Sequence, residues 1–388
     1  MVTLETADKA LKSYYLDAVA EALNMQVNPL LAKIEKTSSD VVGKDVRKAV
    51  KIKYNGAVGA GSEAGDLPAA GQNVYEQMTV SLKNLYGTIE ISDKAIRAAA
   101  NNEGAFVNLL NEEMQSLVKT SKVNFGRMLF GDGTGCVARV EDFDEESATV
   151  DSVNALFEGM KIQVYAQEIS TSPMYEDEIF SVDRDNKKIV FKKVAEGGEM
   201  PNFQVGNMIC VAGSWKKEIT GLKAIFGDKD IYGIDRNHSI MKPYIEEDIG
   251  ALSDNYIHKV IDTIEERSGG KINFIICSYG VKRALADFYK GFNVVLPTQD
   301  FGGFTATSFN GIPVVADRFC PAGTMYLLNT DDFKLHQLCD WQWLEGDGGK
   351  VLKQVPGKPV YTATLVKYAE LLCERPCGQG MITGIEEY

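Results

Sequence analysis

The sequence predicts an α+β fold, and three observations predict it. Two alternating strand segments flank a long Gly/Ala loop, a helix of roughly 27 residues follows, and helices then interleave with strands to the C-terminus. No internal repeat and no long disordered linker interrupts this order.

The first element is an amphipathic helix over residues 6–25. Leu11, Tyr14, Ala18, Ala22 and Met25 recur at steps of three or four, with Thr6 as its cap. The stripe needs another surface to cover it. Residues 46–54 then alternate, with Val46, Val50, Ile52 and Tyr54 mostly on one face and Lys51 and Lys53 on the other. Met78, Val80 and Leu82 alternate in turn with Gln77, Thr79, Ser81 and Lys83, so the two runs read as a long hairpin. Past Asn84 the apolar set becomes Leu85, Gly87, Ile89 and Ile91. A bulge or bend produces that change of parity, and the hairpin is expected to leave its parent domain there.

Between the strands lies GAVGAGSEAGDLPAAG, Gly56 to Gly71, with five glycines and five alanines. A two-stranded hairpin is marginal alone in water, and this tip has no large side chains with which to build a local core. In a monomer so long a loop would be a lid or a disordered segment. In an assembly it would lie across a neighbouring subunit, small residues allowing close approach and glycine allowing the tip to rearrange. The candidate contact residues are Gly56, Gly59, Gly61, Gly65, Asp66 and Pro68.

From Asn101 to Phe130, after the short helix-like SDKAIRAAA, the residues Phe106, Leu110, Met114, Leu117, Ser121, Phe125 and Met128 mark one face of a helix. Asn102 is placed to cap its start and Gly131 to end it, over roughly 40 Å. Asn108, Glu112, Gln115, Lys119 and Lys122 make its other face polar, so it lies on a sheet without being engulfed. The FGDGTG that follows is not a phosphate cradle: it sits at a helix C-terminus and lacks the Gly-Lys-Ser/Thr ending, which leaves a helix stop or a flexible loop.

Residues 141–218 read as a small β-rich unit. The pieces KIQVYA, EIFSVD, KKIVFKKV and NMICVAG are separated by turn chemistry, and the acidic stretches EDFDEES and YEDE read as solvated turns, since neither has calcium-loop spacing. Ile245, Ile249, Leu252, Tyr256, Val260 and Ile264 then mark a helix closed by SGG, followed by the strand NFIICS, the helix YGVKRALADFYKG and the strands IPVVAD and MYLLNT. Strand character resumes in FKLHQL, WQWL and YTATLVKYAELLCERP.

Charge and composition exclude several functions. The 388 residues are 45 % apolar with a net charge of −13, an ordinary globular composition that argues against a general nucleic-acid binder and an anionic-membrane partner. The N-terminus lacks a basic start followed by an apolar core, and no run approaches a membrane span, so the chain is expected to be made and kept in a cytoplasm. The seven cysteines read as reduced, mostly buried thiols. His336 and Cys339 on one strand point to opposite faces, which argues against a zinc set with Cys373 and Cys377, and no metal or cofactor is expected. Of the three histidines, His258 reads as a surface residue and His238 and His336 have no catalytic neighbours in sequence, so no catalytic residue is assigned.

The order of parts resembles the major capsid proteins of tailed bacteriophages, whose fold is named after phage Hong Kong 97. KNLYGTIEISDKAIRAA, the helix AFVNLLNEEM…NFGRMLFGDGTG and NGIPVVADRF carry the resemblance most specifically. It implies residues 1–45 as an N-terminal arm, 46–92 as an extended loop reaching over a neighbour, 93–140 as a peripheral domain with a spine helix, and 141–218 as a β-rich insertion. Residues 219–330 would form an axial domain clustered at the centres of hexamers and pentamers, and 331–388 the returning peripheral strands. The shell would be icosahedral and enclose double-stranded DNA without sequence-specific contact, its acidic balance letting the DNA slide. The resemblance also implies a portal protein, assembly in the host cytoplasm and a place in the virion capsid. Because the arm pattern starts near Met1, the scaffolding protein is expected to be separate. Some relatives crosslink a loop Lys to a neighbour's Asn; the tip here has no Lys, which points to non-covalent clamping with a cement or decoration protein. The rival readings are an encapsulin-like cargo shell and a soluble enzyme with residues 56–71 as a lid.

Overall fold

A computed structural model of the chain describes residues 28–63, 65–66, 68–94, 103–199, 201–290, 298–301, 304–345 and 351–387. The arm helix over 6–25, its Thr6 cap, Asn102 and most of SDKAIRAAA lie outside them, as do the side chains of Phe106 and Leu110. The chain divides into two compact units, residues 1–32, 83–223 and 337–369 in one and residues 33–82, 224–336 and 370–388 in the other.

The second unit opens with β1 (Glu35–Thr37), β2 (Val41–Val42), β3 (Asp45–Lys53) and β4 (Val74–Ser81). β2, β3 and β4 form an antiparallel sheet, with β3 and β4 in register from Asp45 opposite Ser81 to Lys51 opposite Tyr75. A slip between Lys51 and Lys53 ends the regular alternation there. Val46, Val50 and Met78 are buried on the shared face, whereas Tyr54, on the same parity but beyond the slip, is exposed. The parity change expected past Asn84 comes two residues sooner: β4 ends at Ser81 and buried Leu82 hands the chain to the other unit.

In the first unit, β5 (Lys83–Ser92) starts at once and buries Leu85, Ile89 and Ile91. Helix α1 (Glu103–Met128) follows, burying Met114, Val118, Ser121, Phe125 and Met128, with Leu117 half-buried. It crosses β5 at Gly87, where a Cβ would stand 2.9 Å from Leu117 Cδ1, so glycine is what lets helix and strand approach. FGDGTG is a fixed turn: Asp132 accepts from the Thr134 N–H at 2.9 Å, and Gly133 and Gly135 take positive φ.

The β-rich unit closes into a barrel. Strands β6 (Cys136–Phe143), β7 (Ala148–Val150), β8 (Lys161–Tyr165), β9 (Tyr175–Asp183), β10 (Lys188–Phe191) and β11 (Met208–Val211) run in the order β10-β7-β6-β11-β8-β9. Val140, Val150, Leu156, Val164, Ile189 and Phe191 fill it. YEDE is strand rather than turn, because closing the barrel needs β9 paired with β8 on one side and β10 on the other. Local sequence cannot encode that demand. In EDFDEES the turn reading holds past β6: Asp144 accepts from the Glu146 and Ser147 N–H groups and from Lys188 Nζ at 2.9 Å. Lys188 first, and these backbone donors with it, hold the Asp144 carboxyl well below the usual range.

Back in the second unit, β12 (Tyr244–Glu246), α2 (Asp254–Ser268), β13 (Phe274–Cys277), α3 (Tyr279–Lys290), β14 (Thr298–Phe301), β15 (Phe304–Phe309), β16 (Ile312–Ala316) and β17 (Met325–Leu328) build most of a seven-stranded mixed sheet. The helix expected from Ile245 starts only at Asp254, because Tyr244–Glu246 pair in parallel with a strand near the C-terminus. Long-range pairing overrides a periodicity that runs through a turn. Gly269, with left-handed φ, caps α2. His258 is half-buried against the Phe309 ring rather than free on the surface.

FKLHQL and WQWL are one strand, β18 (Phe333–Trp343), which with the two-residue β19 (Lys353–Gln354) and the long β20 (Val360–Cys373) completes the remaining sheet; β21 (Gly380–Ile382) returns to the seven-stranded one. The order is β1-β18-β20-β19 with β5 antiparallel on β20, from Lys83 opposite Ala369 to Ser92 opposite Val360.

Candidate assembly elements

The hairpin is rigid at its root and bare at its tip. At the root, the Thr79 N–H donates to the Tyr232 carbonyl at 2.9 Å, Lys48 is ion-paired with Glu374, and Glu76 lies 3.4 Å from His238. Tyr232 is itself buried, its hydroxyl donating to the Leu371 carbonyl at 3.2 Å and accepting from the Cys373 N–H at 3.1 Å. Burial keeps that phenol protonated far above neutral pH.

From Lys53 to Tyr75 every described residue is exposed except the half-buried Ala57. The six sequence-predicted contact residues, Gly56, Gly59, Gly61, Gly65, Asp66 and Pro68, all lie on this bare stretch. Val58 is 90 % exposed and Tyr54 78 %. The tip has little internal support: Asn73 Oδ1 accepts from the Asn55 N–H and Asn55 Oδ1 from the Ala57 N–H, both at 2.9 Å, and these pinch its neck. None of its five glycines has a positive φ, so left-handed backbone is not their use here. Sequence reasoning missed the aromatic neck, where Lys51 Nζ stands 5.2 Å and 5.9 Å from the ring centres of Tyr54 and Tyr75. The signal was present, because Lys51 faces Tyr75 in the hairpin register.

In the other unit, the spine residues meet the sheet. Phe125 packs edge-on against Trp341 at 6.3 Å, and Lys367, 1 % exposed, sets its Nζ 5.6 Å over the Phe125 ring while donating to Asp340 Oδ1 at 2.6 Å and Gln337 Oε1 at 2.7 Å. At the end of α1, Arg127 donates to both carboxylate oxygens of Glu218 at 2.9 and 2.5 Å, and to Asn124 Oδ1. Gly221 then passes so close that a Cβ would stand 2.6 Å and 2.7 Å from the Leu129 and Gly131 carbonyl oxygens. With the Leu222 N–H donating to the Leu129 carbonyl at 2.8 Å, the chain leaving the barrel is locked to the end of the spine.

Among the described residues no group of His, Cys, Asp and Glu side chains is placed to hold a metal ion. His336 is wholly buried and sets Nδ1 3.1 Å from the Ser39 carbonyl. Among the described residues no helix is long and apolar enough to cross a membrane.

The family described as SU10 major capsid protein matches residues 26–350. No curated protein sequence matches the chain. Among solved structures, the capsid asymmetric unit of cyanophage A-1(L) aligns with a TM-score of 0.57 at 13 % identity, over 97 % of this chain and 95 % of that one. The holo-SrpI encapsulin complex of Synechococcus elongatus PCC 7942 aligns at a TM-score of 0.46 and 9 % identity, over 91 % of this chain and 85 % of that one, and Mycobacterium phage Bobi at 0.47 and 9 %, over the whole of both chains. The cyanophage likeness shows a shared α+β capsid fold of the Hong Kong 97 type, and the matched family shows a structural protein in place of the enzyme with a lid. The chain belongs to the SU10 major capsid protein family, whose members build the shell of a phage capsid.

Proposed function

We propose that this protein assembles into the hexamers and pentamers of an icosahedral head around double-stranded DNA, and that the β3–β4 hairpin clamps each subunit to the next. The observation that carries this is the contrast within the hairpin: a root tied to Tyr232, Glu374 and His238, and a tip over residues 54–73 with almost no buried residue of its own. Heterologous contacts repeated around a ring close it, and one hairpin per subunit multiplies a modest contact into a strong shell.

In this reading residues 1–45 act as the arm, 46–92 as the extended loop, 93–140 and 331–388 as the peripheral domain, 141–218 as the insertion and 219–330 as the axial domain. Assembly takes place in the host cytoplasm with a separate scaffolding protein, a portal protein at one vertex and a cement or decoration protein outside.

Electron microscopy of the purified chain, alone and with a candidate scaffold, tests the reading against a variant lacking residues 57–70. Closed shells or rings of five and six that disappear in the deletion support it. A small discrete oligomer indifferent to the deletion overturns it, and shells from infected cells that hold a cargo enzyme instead of DNA overturn the DNA container.

A further inference from the structure

We propose that Cys136 and Cys210 are a redox pair, which a low-molecular-weight disulfide converts into a cross-strand bond closing the stem of the inserted barrel. β6 is the barrel's first strand and β11 its last, the two pair antiparallel, and Cys210 stands directly opposite Cys136. Residues so placed have Cα atoms about 4.5–5.5 Å apart. That lies within the roughly 4.4–6.8 Å a disulfide spans. The register slips between Ile209 and Cys210, and such a slip loosens the ladder enough to let the sulfurs adjust.

The surroundings favour the same pair. Both thiols belong to one small cluster with Tyr165, Met208 and Trp215. Tyr165 and Trp215 stack at 4.3 Å, and Trp215 Nε1 donates to the Ser170 carbonyl at 2.9 Å, which fixes the wall of the cluster. Cys136 Sγ donates to the Ala138 carbonyl at 3.3 Å and Cys210 Sγ to the Met208 carbonyl at 3.9 Å. The neighbouring Cys210 thiol, with Arg139, draws Cys136 below the ordinary thiol range, while the neighbouring Cys136 and burial push Cys210 up. Cys136 is also the partly exposed member, so it is the first nucleophile. Cys277, by contrast, stands opposite Ala316 and Met325 and has no thiol across the ladder.

The chemistry balances with oxidised glutathione as the oxidant. The Cys136 thiolate attacks one sulfur, the glutathione S–S bond breaks, and one glutathione leaves as thiolate. Cys210, deprotonated, attacks the Cys136 sulfur of the mixed disulfide and expels the second glutathione. Two protein thiols are oxidised, one glutathione disulfide is reduced, and the two cysteine protons pass to the departing glutathiones. A shell protein made in a reducing cell would gain the bond only after release. That timing rests on the virion reading above; the bond itself does not.

The test treats the folded full-length chain with oxidised glutathione, blocks remaining thiols with iodoacetamide and maps the peptides by mass. The expected result is one linked peptide pair containing Cys136 and Cys210, with the other five cysteines alkylated, and a Cys210→Ala chain that stops at a glutathione adduct on Cys136. Cleavage within residues 142–207 by added protease should slow on the order of tenfold or more and recover with dithiothreitol. A native chain in which Cys136 stays alkylatable, keeps its glutathione or pairs with another cysteine overturns the proposal, as does linkage without any change in cleavage.

Discussion

The Thr79 N–H donates to the Tyr232 carbonyl at 2.9 Å, which ties the second strand of the hairpin to a residue whose phenol is buried and bonded at both its donor and its acceptor side. Tyr232→Phe strips the hydroxyl and leaves the Cys373 N–H and the Leu371 carbonyl short of a partner. The expected loss is about 1–3 kcal/mol in urea unfolding, with the strands still formed.

Arg127 and Glu218 are both nearly buried and bonded through two oxygens, so removing one partner strands a charge. Glu218→Leu should cost about 3–5 kcal/mol, and Arg127→Met combined with Glu218→Leu should cost less than either of these two single changes. Equilibrium unfolding of the three variants reads this; losses that simply add would refute it.

Two glycines mark close approaches of different kinds. At Gly221 the obstacle is a set of backbone carbonyls, whereas at Gly87 it is chiefly the end of the Leu117 side chain. Gly221→Ala should therefore leave little soluble folded protein. Gly87→Ala should fold with a loss of about 1–3 kcal/mol as Leu117 shifts, measured by thermal melting.

Burial pushes the His336 pKa below its ordinary 6.5, only partly opposed by the Ser39 carbonyl, and Nε2 has no hydrogen-bond partner among the described residues. The folded state then binds fewer protons than the unfolded one, so this stability is present above about pH 6.5 and falls as pH drops toward the lowered value. Lys48 opposes the added charge, while Asp40 and Glu374 favour it. Melting temperatures between pH 7.5 and 5 should fall more steeply for the native chain than for His336→Leu.

Val58 is nine-tenths exposed on the hairpin tip. Val58→Asp should change monomer stability by no more than about 0.5 kcal/mol. If the tip clamps a neighbour, the same change lowers the yield of closed shells, read by sedimentation and microscopy. An unchanged yield would count against the clamp.

The hairpin strands, the spine and most of the interleaved elements were legible because each carries its own period: Met78 and Val80 at two, Phe125 and Met128 at helical spacing. The misses share a cause. YEDE became strand because the barrel had to close, and Tyr244–Glu246 left the expected helix because a strand near the C-terminus pairs with them. Neither demand is visible within a few residues. The Lys51–Tyr75 neighbourhood was legible once the hairpin register was fixed, whereas the Arg127–Glu218 pair, 91 residues apart, was not.

What the sequence by itself determined is the kind and order of elements and the bareness of the tip, since periodicity and the lack of large side chains are local properties. What only the tertiary structure decided is which distant residues meet: Arg127 with Glu218, Tyr232 with Thr79 and Leu371, Cys136 with Cys210, and Gly221 with the end of the spine. Those meetings depend on strand register and chain crossover. Register and crossover are fixed by the summed burial and hydrogen bonding of the whole fold, and no short window of sequence contains that sum.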